Sequence, residues 1–209
     1  LSSRMTNGTA LHTDYAPGTW ALDPAHSELS FTVRHLAISK VRGVFRTFDV
    51  TIEAAEQVED STITATIDMA SIDTNNEMRD GHLKTNDFFL IEEHPTATYV
   101  SRSISGTPED FTVTGDLTLR GVTKEVVLKG EFGGTNRGGD GSLHAAATVR
   151  GKLNRLDFGV AWNAPLETGG VMLGSMQAVL LAAAGFGDDE PPEFIRERRY
   201  RPTVDMRII

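Results

Sequence analysis

An alternation of apolar and polar residues on both arms of positions 111–132, which read FTVTGDLTLRGVTKEVVLKGEF, constrains the fold more than any other feature. Successive side chains of a β-strand point to opposite faces, so this period of two indicates a strand that is buried on one side. Gly121 lies between the two arms, where a tight turn needs a residue that can take positive φ. The stretch therefore predicts a β-hairpin. Its apolar face carries Leu117, Leu119 and Leu128.

The same alternation recurs along much of the chain. It predicts further strands at residues 28–35, 44–53, 61–69, 96–103, 143–153 and 155–162. The apolar side of the first three includes Phe31, Val33, Phe48 and Ile67. Phe45 breaks the alternation, and it either packs beneath a loop or lines an opening. Seven or eight short strands joined by short turns are typical of an all-β barrel or sandwich.

One internal segment, residues 77–91, does not alternate. We interpret it as a short helix or a pair of helical turns that Thr74 or Asn75 caps. A helix of this length is not stable alone in water. We therefore expect Phe88 and Phe89 to dock on the β-structure.

The two ends of the chain differ from its body. Residues 1–17 lack periodicity, and we expect a flexible lead-in. Residues 175–184 are apolar, do not alternate and are rich in strong helix formers, which is not typical of a barrel strand. Residues 185–209 combine acidic, proline and basic runs, and we expect a divergent tail. This leaves residues 18–184 as one all-β domain, either a barrel or a sandwich.

Composition excludes several classes of protein. A net charge of −9, from 29 acidic against 20 basic residues, argues against a nucleic-acid partner. The absence of cysteine excludes disulfides and thiolate metal sites. The histidines show neither HxH nor HExxH spacing, so we expect no metal and no other cofactor. The first residues lack the apolar run of a secretory signal, and we expect a cytoplasmic protein.

Few polar residues are candidates for a catalytic role. His26, Arg34 and His35 lie on or beside one predicted strand, and Arg79 lies in the helical segment. These side chains form either a hydrogen-bonded structural cluster or a catalytic one, and we favour the structural interpretation, so we assign no catalytic residue. The inward apolar residues either fill the barrel or line one apolar ligand cavity.

Five blocks of sequence together resemble one known family. They are DPAHSELSFTVRH at 23–35, VRGVFRTFD at 41–49, SIDTNNEMRDGHLKTNDFF at 71–89, GDLTLRGVTKEVVL at 115–128 and LNRLDFGV at 153–160. In this order, over about residues 20–173, they resemble the YceI-like family of lipocalin-like proteins. The resemblance implies an all-β fold, a lipocalin-like antiparallel eight-stranded β-barrel with one short helix.

The family resemblance also implies a function, which is the binding, sequestration or transport of a polyisoprenoid or other long-chain lipid without turnover. The family resemblance and the alternation together indicate ten candidate ligand-binding residues. They are Phe31, Val33, Phe45, Phe48, Ile67, Phe88, Phe89, Leu117, Leu119 and Leu128. Candidates for a polar mouth are His26, Arg34, His35 and Arg79.

Several alternatives stay open. The first is an enzyme that acts on a lipid diphosphate with His26, His35 and Arg79 at the mouth. The second is an interaction module that recruits a partner through the basic run at 196–201. A homodimer is a further option. The family pattern continues after Gly174 with a closing strand, so here either a degenerate last strand still pairs or the barrel is left open.

Overall fold

Antiparallel strands make up most of the structure, a computed structural model that describes residues 16–35, 39–139, 141–162 and 173–186. These residues form one α-helix, α1 (Glu77–Leu83), and short 3-10 helices at Val58–Asp60, Met69–Ser71 and Arg155–Phe158. The strands are β1 (Gly18–Leu22), β2 (Glu28–His35), β3 (Ser39–Phe45), β4 (Phe48–Ala54), β5 (Thr62–Asp68), β6 (Ile72–Asp73), β7 (Thr96–Thr107), β8 (Asp110–Leu119), β9 (Val122–Arg137), β10 (Leu143–Leu153) and β11 (Leu173–Phe186).

Three pairs of these segments are interrupted single strands. β1 and β2 both pair with β11, and they pair in turn with β4 and β3. β5 and β6 likewise pair with β4 and β3. Counting each interrupted strand once leaves eight antiparallel strands, each paired with the strands next to it in sequence. Because β11 also pairs with β1 and β2, the sheet curls until its ends meet, and the eight-stranded fold expected from the sequence is confirmed.

The hairpin at residues 111–132 is confirmed as β8 and β9. Arg120 and Gly121 form its turn, with φ of 52° and 73°, and a glycine at the second position avoids the strain of positive φ. Along β8 every second residue is buried, from Val113 through Leu117 to Leu119. Local alternation was therefore sufficient to assign both arms and the inner face.

The single strand predicted at residues 44–53 is wrong. Phe45 ends β3 and Phe48 begins β4, and Arg46 and Thr47 separate them. Two intervening residues move the inward positions from odd to even numbers, which explains why Phe45 breaks the alternation yet is 8% exposed and buried.

The helix is shorter than expected, and its cap is a different residue. α1 ends at Leu83, and the side chain of Asn76 caps it by accepting a hydrogen bond from the backbone N–H of Arg79 at 2.9 Å. Thr74 lies two residues before the cap, and its hydroxyl donates to Asp80 and accepts from Nε of Arg79 instead. Phe88 and Phe89 lie in the turns after the helix, and both are buried, as expected.

The structure differs most from the expectation drawn from the sequence at the last strand. Residues 175–184, which lack alternation, lie inside β11, which pairs with β10 from Leu143↔Phe186 to Leu153↔Met176 and with β2 on its other side. Backbone pairing on both sides outweighs helix propensity, which is a weak preference per residue. The open-barrel alternative is therefore wrong. β11 ends at Phe186, beyond the boundary expected at residue 184, and the remaining tail lies outside the described residues, as do residues 1–15.

The outer face of β2 also differs from expectation. Alternation places Glu28, Ser30 and Thr32 on the polar face of the strand, yet they are only 1%, 4% and 4% exposed. Leu29, Phe31 and Val33 on the opposite face belong to or pack against the main core. β2 is therefore covered on both faces, which period-two alternation does not reveal.

The barrel has two distinct ends. We call upper the end that carries α1, residues 84–95, the 120–121 turn and the 155–158 helix, and lower the end where β4, β7 and β9 finish. The main apolar core runs through the barrel, from Phe88 and Phe89 at the upper end to Ile104 and Phe111 toward the lower end. A second, smaller cluster around Trp20 and Leu143 also lies at the lower end. No helix among the described residues is long and apolar enough to cross a membrane.

Candidate ligand-binding cavity

An apolar cavity of about 130 Å³ lies inside the barrel. Its lining comes from the inward faces of β2 to β5 and of β7 to β10, together with Ser30, Met69 and Phe89. No polar atom contributes accessible surface to it. Such a space has no hydrogen-bonding partners for water, and apolar cavities of this kind stay dry.

Most residues that the sequence singled out for ligand binding face this cavity. They are Phe31, Phe45, Phe48, Ile67, Phe89, Leu117, Leu119 and Leu128. Two others do not. Val33 packs against the core without lining the cavity, and Phe88 lies in an aromatic cluster at the upper end. Contact of any of these side chains with a ligand stays a prediction.

Sequence reasoning missed Tyr99, which lines the cavity from β7. Its Oη lies 3.2 Å from the carbonyl oxygen of Val113 and 3.3 Å from that of Val126, so the hydroxyl is in position to donate to the barrel wall. Burial, and secondarily the charge of Asp116, raise the pKa of Tyr99 to about 12, although Arg102 opposes this. The phenol stays neutral at physiological pH. Its position after Ala97 in an alternating strand was the signal that could have identified it.

His82, Phe88 and Trp162 form the aromatic cluster of the upper end. The ring of His82 lies edge-on to both neighbours, with centroids 5.0 Å from Phe88 and 4.9 Å from Trp162. Nε2 of His82 lies 2.7 Å from a carboxylate oxygen of Asp87. The cluster therefore joins α1 and the turns after it to the segment after β10, and Trp162 packs on the main core.

Arg155 holds that segment in place. Its guanidinium Nη1 donates to the backbone carbonyls of Val160 and Trp162, at 2.6 and 2.9 Å. The residue is 7% exposed, and burial lowers the pKa of the Arg155 guanidinium from its ordinary value. A buried cation bound to carbonyls in this way stabilises the path of the chain across the upper end.

The predicted polar mouth is not assembled as a group of four. Arg79 lies at the upper end, where Nε donates to the hydroxyl of Thr74 and Nη2 to its carbonyl, both at 2.7 Å. Arg34 and His35 lie at the upper end of β2, with backbones paired to β3. His26 precedes β2, and the extended strand from Glu28 to His35 alone spans roughly 23 Å at about 3.3 Å per residue. The side chain of His26 is 75% exposed and lies 2.8 Å from Asp23.

Within the part of the chain that the structure describes, no three His, Asp or Glu side chains come together in an arrangement that could hold a metal ion. The chemistry of the cavity itself is that of an apolar enclosure with one hydrogen-bonded phenol. The fold and site define the class as lipocalin-like β-barrels with an internal apolar cavity.

The chain belongs to the family of YceI-like domains, whose family model matches residues 20–180. The resemblance inferred from five sequence blocks is therefore confirmed. A UPF0312 protein of Staphylococcus aureus strain MSSA476 is 45% identical over 159 residues, which cover 74% of this chain and 90% of the relative. The corresponding protein of strain N315 is 43% identical over the same shares.

Solved structures share the fold. A YCEI protein of Campylobacter jejuni is 28% identical, with a TM-score of 0.61 over 74% of this chain and 90% of that one. BcnA of Burkholderia cenocepacia has a TM-score of 0.67 at 21% identity, over 78% and 98% of the two chains. A polyisoprenoid-binding domain of Saccharophagus degradans has a TM-score of 0.57 at 16% identity, over 80% and 98%. At such identities the last two establish the fold alone.

Proposed function

We propose that this protein binds the hydrocarbon part of a polyisoprenoid or another long-chain lipid inside the barrel, and holds it without turnover. The observation that carries the proposal is the cavity lining, which exposes no polar atom. A domain with the same fold is described as polyisoprenoid-binding, and the apolar lining suits such a chain.

The volume of the cavity sets the geometry of binding. About 130 Å³ is close to the roughly 150 Å³ of an apolar cavity that accepts benzene, and below the roughly 300–1,000 Å³ of drug-sized pockets. The space accommodates a fragment about the size of one isoprene unit. A longer chain has to displace side chains. We expect this displacement at the upper end, in the aromatic cluster that contains the half-exposed His82.

Hydrophobic transfer supplies the affinity. Burial of each methylene contributes about 0.8 kcal/mol. Several isoprene units therefore outweigh the cost of ordering the chain, which is about 0.5–1.5 kcal/mol per immobilised side-chain-sized group. Such a site holds its ligand tightly but discriminates weakly, since one methylene changes binding by only about 1–3 kcal/mol.

The geometry at the upper end favours holding over chemistry. The side-chain hydrogen bonds described for Arg79 both go to Thr74. Thr74 in turn donates to the carboxylate of Asp80, from its backbone N–H at 3.0 Å and from its hydroxyl. Incubation with farnesyl diphosphate tests the enzyme alternative. We expect no release of phosphate above the buffer control, and steady release that Arg79→Ala abolishes would favour an enzyme.

The direct test of the proposal is extraction of the natively purified protein with organic solvent, followed by mass spectrometry. Ala65→Leu places a larger side chain in the cavity from β5, whereas Thr66→Leu adds a similar side chain to the exposed outer face of the same strand. We expect a long-chain lipid to be recovered from the wild type and Thr66→Leu, and about ten-fold less from Ala65→Leu. Equal recovery from both variants, or no lipid from any, would overturn the proposal.

A further inference from the structure

A glycine stands where the cavity wall would otherwise carry a side chain. Gly43 of β3 lies directly opposite Phe31 of β2 on the inner face, and Phe31 lines the cavity. A Cβ atom at Gly43 would lie 2.7 Å from Cε1 of Phe31, with Cζ closer still. The end of the Phe31 ring therefore lies over the backbone of the neighbouring strand, in the space of the absent side chain.

We infer that Gly43 determines the width of the cavity by letting the Phe31 ring lie against β3, and that this width admits methyl-branched chains. The inference rests on the proposed function and concerns the shape of the bound chain. An isoprenoid chain carries a methyl branch in every unit and is wider than a straight alkyl chain. A wall residue that narrows the lumen therefore acts more strongly on the branched chain.

The surroundings of Phe31 leave its ring little freedom to move along the wall. The ring of Phe45 lies beside it, with its centroid 5.5 Å away at an interplanar angle of 44°. The space at Gly43 is also bounded by Thr74, whose Cγ2 would lie 2.8 Å from a Cβ there. Hydrogen bonds from Arg79 and to Asp80 fix Thr74 in that place. A methyl group at position 43 therefore drives the Phe31 ring toward the open lumen.

The barrel contains a matched control. Gly130 of β9 lies opposite Phe111 of β8, and a Cβ there would lie 2.8 Å from Cδ2 of Phe111, with two other ring carbons closer. Phe111 packs against the core but does not line the cavity. Both glycines have extended strand backbone that alanine also adopts. Both substitutions place a methyl group within 3 Å of an opposing phenylalanine ring. Gly43→Ala also crowds Thr74, and of the two rings only that of Phe31 lines the cavity.

The test compares the binding of farnesol and of pentadecanol, which have the same carbon number, by displacement of a bound anilinonaphthalene sulfonate dye. We expect Gly43→Ala to weaken farnesol binding about ten-fold more than pentadecanol binding. Gly130→Ala should leave the ratio of the two affinities unchanged, although it lowers the thermal stability. Phe31→Leu in the Gly43→Ala background should restore the ratio, because the shorter side chain clears the added methyl group.

Crystal structures of the two alanine variants provide a measurement that needs no ligand. We expect the Phe31 ring to point into the lumen in Gly43→Ala and to keep its place in Gly130→Ala.

An unmoved ring, or an unchanged affinity ratio in folded Gly43→Ala, would overturn this inference and leave the proposed function standing. A wild type that binds neither alcohol would overturn the proposed function instead. If Gly43→Ala does not fold, Phe31→Leu alone should favour farnesol further, and an unchanged ratio there would also contradict the inference.

Discussion

At the lower end of the barrel Trp20 and Leu143 form a small apolar cluster, whereas at the upper end the ring of His82 meets Phe88 and Trp162 edge-on among turns and hydrogen bonds. The lower cluster is built from regular strands, and the indole N–H of Trp20 donates to the carbonyl of Ala16 at 3.0 Å. The upper cluster is partly exposed, with 40% of the His82 side chain open to solvent. Segments with more exposed contacts open at lower free-energy cost. We therefore expect the lower end to stay closed and a ligand to exchange through the upper end.

The largest effect is expected from Trp20→Ala, which removes the lower cluster. Trp20 is 5% exposed, and truncation of a buried tryptophan costs about 3–5 kcal/mol. Urea denaturation followed by circular dichroism measures the change, with Trp20→Phe as a control that keeps a ring. A loss below about 1 kcal/mol would show that the lower end is not the rigid one.

Trp162→Ala should cost less stability and should alter ligand exchange more. The substitution removes two aromatic contacts at the upper end, each worth about 0.5–1.5 kcal/mol beyond the buried area. We expect stopped-flow dissociation of the fluorescent dye to accelerate in Trp162→Ala, and Trp162→Phe to stay near the wild type. Faster dissociation in Trp20→Ala than in Trp162→Ala would reverse the assignment of the two ends.

Tyr99 lies between the two ends, and its substitution measures how much a hydrogen bond to the barrel wall contributes to stability. Tyr99→Phe removes a hydroxyl that hydrogen-bonds to the wall, at an expected cost of about 1 kcal/mol. Folding raises the pKa of Tyr99 from 10.0 to about 12, so the folded state favours the neutral phenol. Its contribution to stability is complete below pH 10.0 and is lost as the pH rises toward 12.

Melting temperatures of the wild type and Tyr99→Phe across this alkaline range measure that contribution. We expect the stability difference between the two proteins to shrink as the pH rises from 10.0 to about 12. A difference that does not vary with pH would show that the phenol ionises alike in the folded and unfolded chains.

The smallest effect is expected at Asp73, near the upper end. The backbone N–H of Asn75 and the guanidinium of Arg46 lower the pKa of Asp73 below 3.8. Its contribution to stability is therefore present above pH 3.8 and is lost as the pH falls below that value. The side chains of Arg46 and Asp73 are 41% and 32% exposed, so solvent screens the pair and we expect about 0–1 kcal/mol from it. Asp73→Asn should destabilise the protein slightly at neutral pH and not at acid pH, and a loss that persists in acid would point to a packing effect.

The parts of the fold that the sequence predicted depend on local patterns. The β8–β9 hairpin and its inner face follow from alternation around Gly121. β11 could not be recognised in the same way, because residues 175–184 form a strand only through pairing with β10 and β2, which lie far away in sequence. Phe45 was ambiguous since a two-residue break in a strand reverses the inward positions after it.

The candidate site, like the fold, was predictable where local alternation applies. Leu117 and Leu119 were assigned to the inner face from alternation, and they line the cavity. Phe88 was not separated from Phe89, because in a non-repeating turn adjacent residues can point in different directions. His26 and His35 were grouped from their closeness in sequence, yet an extended strand holds them far apart.

The central claim is that an amphiphile places its hydrocarbon chain in the cavity between Phe31 and Leu117. A crystal structure of the protein saturated with farnesol tests it most directly. We expect continuous electron density for the chain inside the barrel, in contact with these two side chains, with its hydroxyl toward the upper end. Density on the outer surface, or an interior filled by the protein's own side chains with no farnesol, would contradict it.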